Sequence, residues 1–376
     1  MNKVEHIFNK IKIIFSLKSD REGSNIYKQK FHGKETMAHK TIITQWIHPE
    51  IIDFLSAYTH VVANQTREPM TRARLLELAQ DAQAIMVFMP DCIDDTFLNE
   101  CPNLKIVSAA LKGYDNFDVA ACTNRGIWFT MVPNLLTIPT AELAVGLLVT
   151  VSRNIIPGHA LVKSGRFKGW RPALYGRGLA DSTVGIIGFG KVGKAIATRL
   201  CGFGPTMICC DSQVDAALEY PGMGIEPVDL NTLLSRSDFI IVTTPLVEGT
   251  QHLINRDRLG FVKKSAYLIN IGRGSCVDES AVAHALENDQ LTGYAADVFE
   301  FEDWARPDRP IGIDSRLLAS EKTVFTPHLG SAVDRIRYQI AMQAALNIKD
   351  VLLGKTPPGA VNDPTRFFYR TGSVVV

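Results

Sequence analysis

The chain has 376 residues, a length at which two domains are more common than one. Hydrophobic residues make up 46% of it and charged residues 21%, as in an ordinary globular protein. Its 40 basic and 39 acidic residues leave a net charge of +1, which argues against nucleic acid or an anionic membrane as a partner.

Cysteine usage and hydropathy narrow the setting further. The seven cysteines are scattered and lack the spacing of metal ligands, so we expect reduced thiols and no metal site. No apolar run approaches the ~18 residues that a membrane span needs. These features favour a cytoplasmic protein.

Residues 1–36 differ from the rest of the chain. Lys12 and Lys18 interrupt their short apolar centre, and they lack the long uncharged stretch and small-residue cleavage site of a secretory signal. Met37 directly precedes a strand-like run. We therefore expect the folded chain to start at Met37 and residues 1–36 to be a disordered tail or an over-long reading frame.

From Lys40 onward, short apolar runs alternate with helical patterns. The first series of predicted strands is TIITQWI, VVANQ, AIMVFM, KIVSAAL and IWFTMV. Helical segments such as TRARLLELAQDA separate them. This alternation predicts a parallel sheet that is covered on both faces, formed by residues 37–136.

A long apolar stretch, IPTAELAVGLLVTVSRNI, predicts one helix that opens at Pro139 and leads into a second sheet. The second series of predicted strands is TVGIIGFG, MICCD, FIIVTTP, AYLINIG, LTGYAADV and TVFTPH. We assign residues 137–327 to this second doubly wound sheet. Residues 328–376 contain a helix, DRIRYQIAMQAALNIKDVLLG, that returns the chain to the first sheet, followed by an irregular Pro/Gly-rich tail.

The glycine pattern at the start of the second series is typical of a dinucleotide site. Gly188, Gly190 and Gly193 form G-x-G-x-x-G between a strand and a helix, although glycines recur in ordinary tight turns as well. The next strand ends at Asp211, close to the place where such folds carry an acidic residue. Asp211 can accept hydrogen bonds from the ribose and repel a 2′-phosphate, which favours NAD over NADP. Alternatively, Asp211 only begins a turn.

Three titratable residues follow later strands of the second series: Arg273, Glu302 and His328. Ligands of open α/β sheets bind at the carboxyl ends of the strands, so these side chains are candidates for one crevice. Each has an ordinary alternative, since an arginine can cap a helix, a glutamate can be solvated and a lone histidine is more often structural. Their occurrence together after a dinucleotide pattern favours an active site.

The motifs GIIGFGKVGKAIA, NIGRGSCVDE, AADVFE and TPHLGSA resemble those of the D-isomer-specific 2-hydroxyacid dehydrogenase family, in order and spacing, between Lys40 and Leu353. The resemblance implies a Rossmann dinucleotide-binding domain, a flavodoxin-like substrate domain and a homodimer. It implies that Arg273 binds an anionic substrate, His328 transfers a proton and Glu302 orients the imidazole. The cofactor contacts that it implies are Thr140, Gly188, Gly190, Lys191, Val192, Gly193, Asp211, Pro245, Ile271, Gly272, Asp297, His328 and Ser331, with Asp297 anchoring the nicotinamide carboxamide.

The run KIVSAALKGYDNFD places Lys112 at the carboxyl end of a predicted strand, where Gly113 permits a sharp exit. A lysine there commonly snorkels to water. The run departs from the usual family pattern, as do FEDWARPDRP and SGRFKGWRPALYGRGL, and all three are similar to family members that oxidise phosphite. This similarity implies a substrate site formed by Lys112, Arg273, Met89, Arg337, Trp170, Tyr175 and Trp304, although Met89 at a strand end is more often a packing residue.

The sequence therefore predicts an NAD-dependent enzyme that oxidises phosphite, a small inorganic oxyanion. Two alternatives remain. A D-2-hydroxyacid dehydrogenase or 2-ketoacid reductase would use the same arginine, glutamate and histidine. A dinucleotide-sensing binding protein, similar to a co-repressor, would keep the glycine pattern and use the crevice for a partner.

Overall fold

The computed structural model of the chain describes residues 39–212 and 224–365. The expectations for residues 1–36, for a start at Met37 and for the last part of the C-terminal tail concern residues outside these ranges. Residues 355–365 follow the irregular path that their composition predicts, with one isolated bridge between Ala360 and Thr130.

Strands occur where the apolar runs predict them, with one addition. Within the described ranges they are β1 (Lys40–Ile43), β2 (His60–Ala63), β3 (Ala84–Val87), β4 (Ile106–Ala109), β5 (Trp128–Thr130), β6 (Thr183–Ile187), β7 (Thr206–Cys210), β8 (Ile225–Pro227), β9 (Phe239–Val242), β10 (Tyr267–Asn270), β11 (Gly293–Ala296) and β12 (Thr323–Phe325). The sequence pattern does not predict β8. It is too short to show an alternation and ends in proline, which a sheet tolerates at its edge.

Helices connect the strands. Within the same ranges they are α1 (Pro49–Ser56), α2 (Arg72–Ala79), α3 (Asp95–Asn99), α4 (Val119–Asn124), α5 (Thr137–Ser152), α6 (Ile155–Lys163), α7 (Lys191–Leu200), α8 (Leu230–Arg236), α9 (Arg256–Leu259), α10 (Glu279–Glu287), α11 (Ser315–Ala319) and α12 (Asp334–Leu352), with 3-10 turns at Cys201–Phe203, Glu248–Thr250, Gly274–Cys276 and Glu300–Glu302. Several begin at a side chain that accepts a hydrogen bond from the first turn. These residues are Thr71, Asp94, Asp118, Asp229, Asn255, Asp278 and Asp314.

The first sheet has five parallel strands in the order β2-β1-β3-β4-β5, which is the flavodoxin-like order. One face packs a cluster that includes Ile42, Ile85 and Val107. The other face is covered in part by α12, whose Ile340 and Ala344 join a second cluster. The C-terminal helix therefore returns to the first sheet, as its sequence predicts.

The second sheet has seven parallel strands in the order β12-β11-β10-β9-β6-β7-β8. Counted from β6, this is the Rossmann order with one further strand, and the order reverses between β6 and β9. Separate apolar clusters cover its two faces. The prediction of two doubly wound α/β sheets is confirmed. The domain boundaries at 37–136, 137–327 and 328–376 stay predictions.

The predicted helix over residues 138–155 is wrong in its length. Helix α5 begins at Thr137, so Pro139 lies in the first turn, where its missing N–H removes no intrahelical bond. The helix ends at Ser152, whose carbonyl accepts a hydrogen bond from the backbone N–H of Arg177, and Asn154 turns into the left-handed region at φ 51°. Helix α6 then starts in a new direction.

No single helix within residues 39–212 and 224–365 is long and apolar enough to cross a membrane. Helices α5 and α6 together reach the required length and hydropathy, but they are bent by 65°. Helix α5 packs on α7, β10 and β11 inside the fold.

Candidate active site

The titratable residues predicted for the active site follow three neighbouring strands of the second sheet. Arg273 comes after β10, Glu302 lies in the 3-10 turn after β11, and His328 comes after β12. Because these strands are parallel and adjacent, their carboxyl ends lie along one edge of the sheet. The fold thus brings together side chains that are far apart in the sequence.

His328 and Glu302 form a hydrogen-bonded pair. His328 Nδ1 lies 2.6 Å from Glu302 Oε2, and both side chains are mostly buried. The other carboxylate oxygen, Oε1, accepts a hydrogen bond from the backbone N–H of Phe299 at 3.0 Å. Both carboxylate oxygens of Glu302 are therefore hydrogen-bonded, and Nε2 of His328 remains available to bind a ligand.

The loop that carries His328 is held by a buried aspartate. Asp297 Oδ1 accepts from the backbone N–H of Leu329 at 2.6 Å, and Oδ2 accepts from that of Gly330 at 2.8 Å. His328 itself has φ 55°, which is uncommon for a residue with a side chain. Burial raises the pKa of Asp297. Both oxygens of Asp297 serve this loop, and its predicted contact with the nicotinamide stays a prediction.

Arg273 reaches across from the second sheet to the loop after β4. Its Nε donates to Asp115 Oδ1 and Oδ2 at 3.1 and 3.2 Å, and Nη1 donates to the carbonyl of Gly272 at 3.1 Å. A β-carbon on Gly113 would overlap Arg273 Nη2. The chain bends at residues 110–112, and Gly113 just after them has no positive φ, so the exit from β4 does not itself require glycine at this position. It is a glycine position because the guanidinium needs the space.

Lys112 is half-buried beside two other cations. Burial lowers its pKa, and the nearby charges of Lys191 and Arg273 lower it further. Within the described residues, no carboxylate lies at ion-pair distance from Lys112. A lysine that only snorkels would extend away from like charges into water, so the environment of Lys112 favours a bound anion.

Arg337, in the first turns of α12, is a further candidate cation and contacts the chain just after β4. Burial lowers its pKa. Its Nη1 donates at 3.4 Å to the carbonyl of Ala110 and to Ser331 Oγ, and its guanidinium lies 5.5 Å from the ring centre of Phe88. Among the residues with described side chains, no carboxylate pairs with it. A partly buried arginine with only neutral partners is suited to bind an anion.

The glycine-rich turn fits a dinucleotide. Gly188 has φ 89°, which requires glycine, and a β-carbon on Gly193 would overlap the Gly188 carbonyl. A β-carbon on Gly190 would meet nothing within 4 Å, so open space lies in front of the residue that precedes α7. Backbone approach and the N-terminus of α7 are what a pyrophosphate needs.

The remaining predicted cofactor residues lie around this turn. Asp211 accepts from the backbone N–H of Phe189 at 2.6 Å, which places its carboxylate at the glycine-rich turn. Lys191 Nζ donates to Asn134 Oδ1 at 2.6 Å, and Thr140 Oγ1 donates to the carbonyl of Gly330 at 3.2 Å. Val192, in the first turn of α7, packs against an apolar cluster of the second sheet. Pro245 follows β9, and Ile271 and Gly272 follow β10, at the carboxyl ends of these strands. Their contacts with NAD stay predictions.

Four of the predicted substrate residues have no contact with Lys112, Arg273 or Arg337 among the described contacts. Met89 packs against the core of the first sheet. Trp170 and Tyr175 are 82% and 76% exposed, on the segment after α6. Trp304 lies under the guanidinium of Arg309, 4.2 Å from the ring centre. Their roles, and the homodimer expected from the resemblance, stay predictions.

The sequence analysis did not identify two polar residues that connect the loop after β4 of the first sheet to loops of the second sheet. Asp115 pairs with Arg273, and Asn116 Oδ1 accepts from the backbone N–H of Ala305 at 3.2 Å while its Nδ2 donates to the carbonyl of Met89. Asn116 is buried. Their position in the loop that follows β4 and Lys112 was an available signal. Within residues 39–212 and 224–365, no cluster of three or more potential metal ligands occurs.

Sequence comparison identifies the class of protein that this fold and site define. Residues 145–330 match the family model described as D-isomer specific 2-hydroxyacid dehydrogenase, NAD binding domain. The glyoxylate reductase of Thermofilum pendens is 35% identical over 326 residues, which is 86% of this chain and 94% of that protein. That of Thermococcus litoralis is 35% identical over 87% of this chain and 97% of its own length.

Solved structures agree. A Thermus thermophilus protein aligns with a TM-score of 0.78 at 31% identity, covering 86% of this chain and all of that protein. The NADPH-dependent glyoxylate/hydroxypyruvate reductase of Sinorhizobium meliloti, solved with NADP and malonate, aligns with a TM-score of 0.73 at 27% identity, over 86% of this chain and 97% of that protein. The chain belongs to the D-isomer-specific 2-hydroxyacid dehydrogenase family. It is an oxidoreductase whose seven-stranded sheet is the NAD-binding domain.

Proposed function

We propose that this oxidoreductase is a phosphite dehydrogenase, which oxidises phosphite to phosphate with NAD. The observation that carries the proposal is the pair of neighbouring cations Lys112 and Arg273, for which Asp115 is the one described carboxylate at ion-pair distance. Phosphite is a compact dianion without carbon, so its recognition depends on charge more than on an apolar cavity. Half-buried cations supply that charge in a region of reduced dielectric.

Arg273 is the proposed anchor of the oxyanion. Asp115 occupies Nε and the Gly272 carbonyl occupies one hydrogen of Nη1, so the edge around Nη2 remains for substrate oxygens. Lys112 contributes a second positive charge from the end of β4. Arg337 is the proposed third contact, since its neutral partners at 3.4 Å are weak competitors for an anion.

The proposed reaction consumes one water. The P–H bond breaks and its hydrogen leaves with the electron pair, the oxygen of water forms the new P–O bond, and one proton of that water is released. NAD, when bound, accepts the hydride. His328 is the proposed acceptor of the proton from water, and Glu302 stabilises the resulting imidazolium through its 2.6 Å hydrogen bond.

A second candidate function is reduction of a 2-ketoacid such as glyoxylate. The names of the curated relatives favour it over phosphite oxidation, because those relatives are glyoxylate reductases. In that reaction His328 would donate a proton to the carbonyl oxygen, and Arg273 would hold the carboxylate. The same residues serve both reactions, so the choice between them depends on the substrate and not on the catalytic pair.

An absorbance assay at 340 nm decides between the candidates. The purified chain is given NAD with phosphite, D-lactate or D-glycerate, and NADH with glyoxylate. Turnover of phosphite well above the others supports the proposal. Turnover of glyoxylate, D-lactate or D-glycerate without phosphite overturns it in favour of the second candidate, and NAD binding without any turnover favours a dinucleotide-sensing protein.

A further inference from the structure

The segments that carry Arg273 and Glu302 come from different strand ends and pack directly on each other. A β-carbon on Gly274 would overlap the carbonyl group of Phe299, so the two backbones approach as closely as glycine allows. Ser275, which is fully buried, continues the first segment. The relative position of the two segments therefore determines how the guanidinium and the carboxylate face each other.

Hydrogen bonds cross this contact at two points. The backbone N–H of Ser275 donates to Asp303 Oδ2 at 2.8 Å. Arg306 Nη1 donates to Ser275 Oγ at 2.6 Å and also to Glu300 Oε2 at 3.1 Å. Arg306 thus joins a residue two positions after Arg273 to a residue two positions before Glu302.

The bridge is well held. The Arg306 side chain is 12% exposed, and its other edge donates to both carboxylate oxygens of Asp308, at 3.2 and 3.0 Å. A planar guanidinium with paired donors on two edges has little freedom to move. It can therefore hold the two segments at a fixed separation.

Arg306 also supplies charge that buried carboxylates need. Glu300 and Glu279 exchange hydrogen bonds with each other's backbone, at 3.0 and 2.8 Å, and burial raises the pKa of Glu279 to about 7. Glu300 Oε2 has one further partner, His252 Nε2 at 2.8 Å, which is a cation only when protonated. Arg306 is charged at every relevant pH, and without it Glu300 would lose its permanent counter-charge.

We propose that Arg306 is a positioning residue for the reaction: its bridge between Ser275 and Glu300 sets the placement of Arg273 relative to Glu302. The proposal rests on the roles given above to Arg273 and Glu302. It does not depend on whether phosphite or glyoxylate is the substrate.

The test compares Arg306→Met, Arg306→Lys, Ser275→Ala and the double variant of Arg306→Met with Ser275→Ala. Misplacement of catalytic groups by about 1 Å costs on the order of 10²-fold. We therefore expect Arg306→Met to lower kcat by roughly 10- to 100-fold with the KM for NAD within about 3-fold of the parent. Arg306→Lys should recover part of kcat, and Ser275→Ala should lower it less than Arg306→Met does.

Arg177→Met is the matched control. Arg177 makes similar bonds beside the same seven-stranded sheet. Its Nη2 lies 3.0 Å from Asp238 Oδ1, and its Nε donates to Ser182 Oγ at 3.1 Å. Asp238 and Ser182 directly precede β9 and β6. They therefore lie at the amino ends of the strands, whereas the catalytic residues follow the carboxyl ends. Arg177→Met should lower the thermal unfolding temperature without lowering kcat.

All variants are measured with whichever of phosphite, glyoxylate, D-lactate and D-glycerate the parent enzyme turns over, so failure of the phosphite proposal leaves this test intact. The double variant should be no slower than Arg306→Met, because both changes remove one bridge. A loss of kcat no larger than that of Arg177→Met, or additive losses in the double variant, would overturn the proposal. If Arg306→Met does not fold, Arg306→Lys and Ser275→Ala decide. Absence of turnover of all four substrates by the parent overturns both proposals.

Discussion

Replacing Lys112 by alanine removes an ammonium group from a region where Arg273 already shares its donors with protein groups. Arg273 Nε is engaged by Asp115 and Nη1 by the Gly272 carbonyl. A bound phosphite would then rely on the Nη2 edge of Arg273 and on Arg337. We expect Lys112→Ala to weaken binding of the dianion and leave the NAD site nearly unchanged.

The size of the effect follows from one charge-assisted hydrogen bond. Such a bond contributes roughly 1.5 to 3 kcal/mol, and about 1.4 kcal/mol corresponds to one decade in affinity. The KM for phosphite should therefore rise by about 10- to 150-fold if the loss falls on ground-state binding. Lys112→Arg keeps the charge but changes its reach, so it should retain only part of the function.

Lys105→Ala is the matched control, because Lys105 lies before the same strand, β4, at its opposite end and is exposed. Steady-state kinetics with varied phosphite and saturating NAD measure both variants, and thermal unfolding checks that both are folded. A phosphite KM for Lys112→Ala within about 2-fold of the parent, as for Lys105→Ala, would show that Lys112 is a solvated strand end.

Four further changes test other parts of the site. His328→Ala should lower kcat by about 10²- to 10⁴-fold, since it removes the proposed base, while the Kd for NADH from fluorescence stays similar. Asp211→Ala should raise kcat/KM with NADP relative to NAD, because it removes a negative charge beside the 2′-phosphate. Gly113→Ala places a methyl group where the Arg273 guanidinium lies and should lower kcat/KM by about 10²-fold. Asp91→Asn should flatten the pH dependence of the unfolding free energy: burial raises the pKa of Asp91 to about 6, so the folded chain holds this proton more tightly and loses stability as the pH rises toward 6.

Specific outcomes would contradict these expectations. Near-normal kcat in His328→Ala would remove it from catalysis, and an unchanged NAD/NADP ratio in Asp211→Ala would show that its carboxylate is not at the ribose. Gly202→Ala is the control for Gly113→Ala, since a β-carbon there meets nothing within 4 Å; equal kinetics of the two would refute the overlap argument. Denaturant unfolding at several pH values tests Asp91→Asn, and an unchanged slope would place the titration elsewhere.

The sequence alone predicted most of the architecture because the inner strands of both sheets are buried on both faces. Such strands form uninterrupted apolar runs, and polar, glycine-rich segments mark their ends. The dinucleotide turn was predictable for a similar reason, since Gly188 needs a positive φ and Gly193 needs a close approach, and both requirements depend on local backbone. The edge strand β8 was not predicted, because three residues that end in proline show no hydrophobic periodicity.

Contacts between distant segments depended on the tertiary structure. Periodicity continued past Ser152, yet capture of its carbonyl by the backbone of Arg177 ended α5 there. Gly113 follows a strand end in the sequence, and only the placement of Arg273 shows that this glycine also leaves space for the guanidinium.

The candidate site was likewise predictable from the sequence in part, and the tertiary structure determined the rest. Strand ends marked Arg273, Glu302 and His328 in the sequence, because functional side chains of parallel sheets follow the strands. Which partner each one has was decided by folding: Asp115 for Arg273, and the Arg306 bridge between the two catalytic segments. Hydrogen-bond partners that lie 158 positions apart leave no trace in local composition. Local sequence determines where a strand ends, whereas the packing of whole elements determines which side chains meet there.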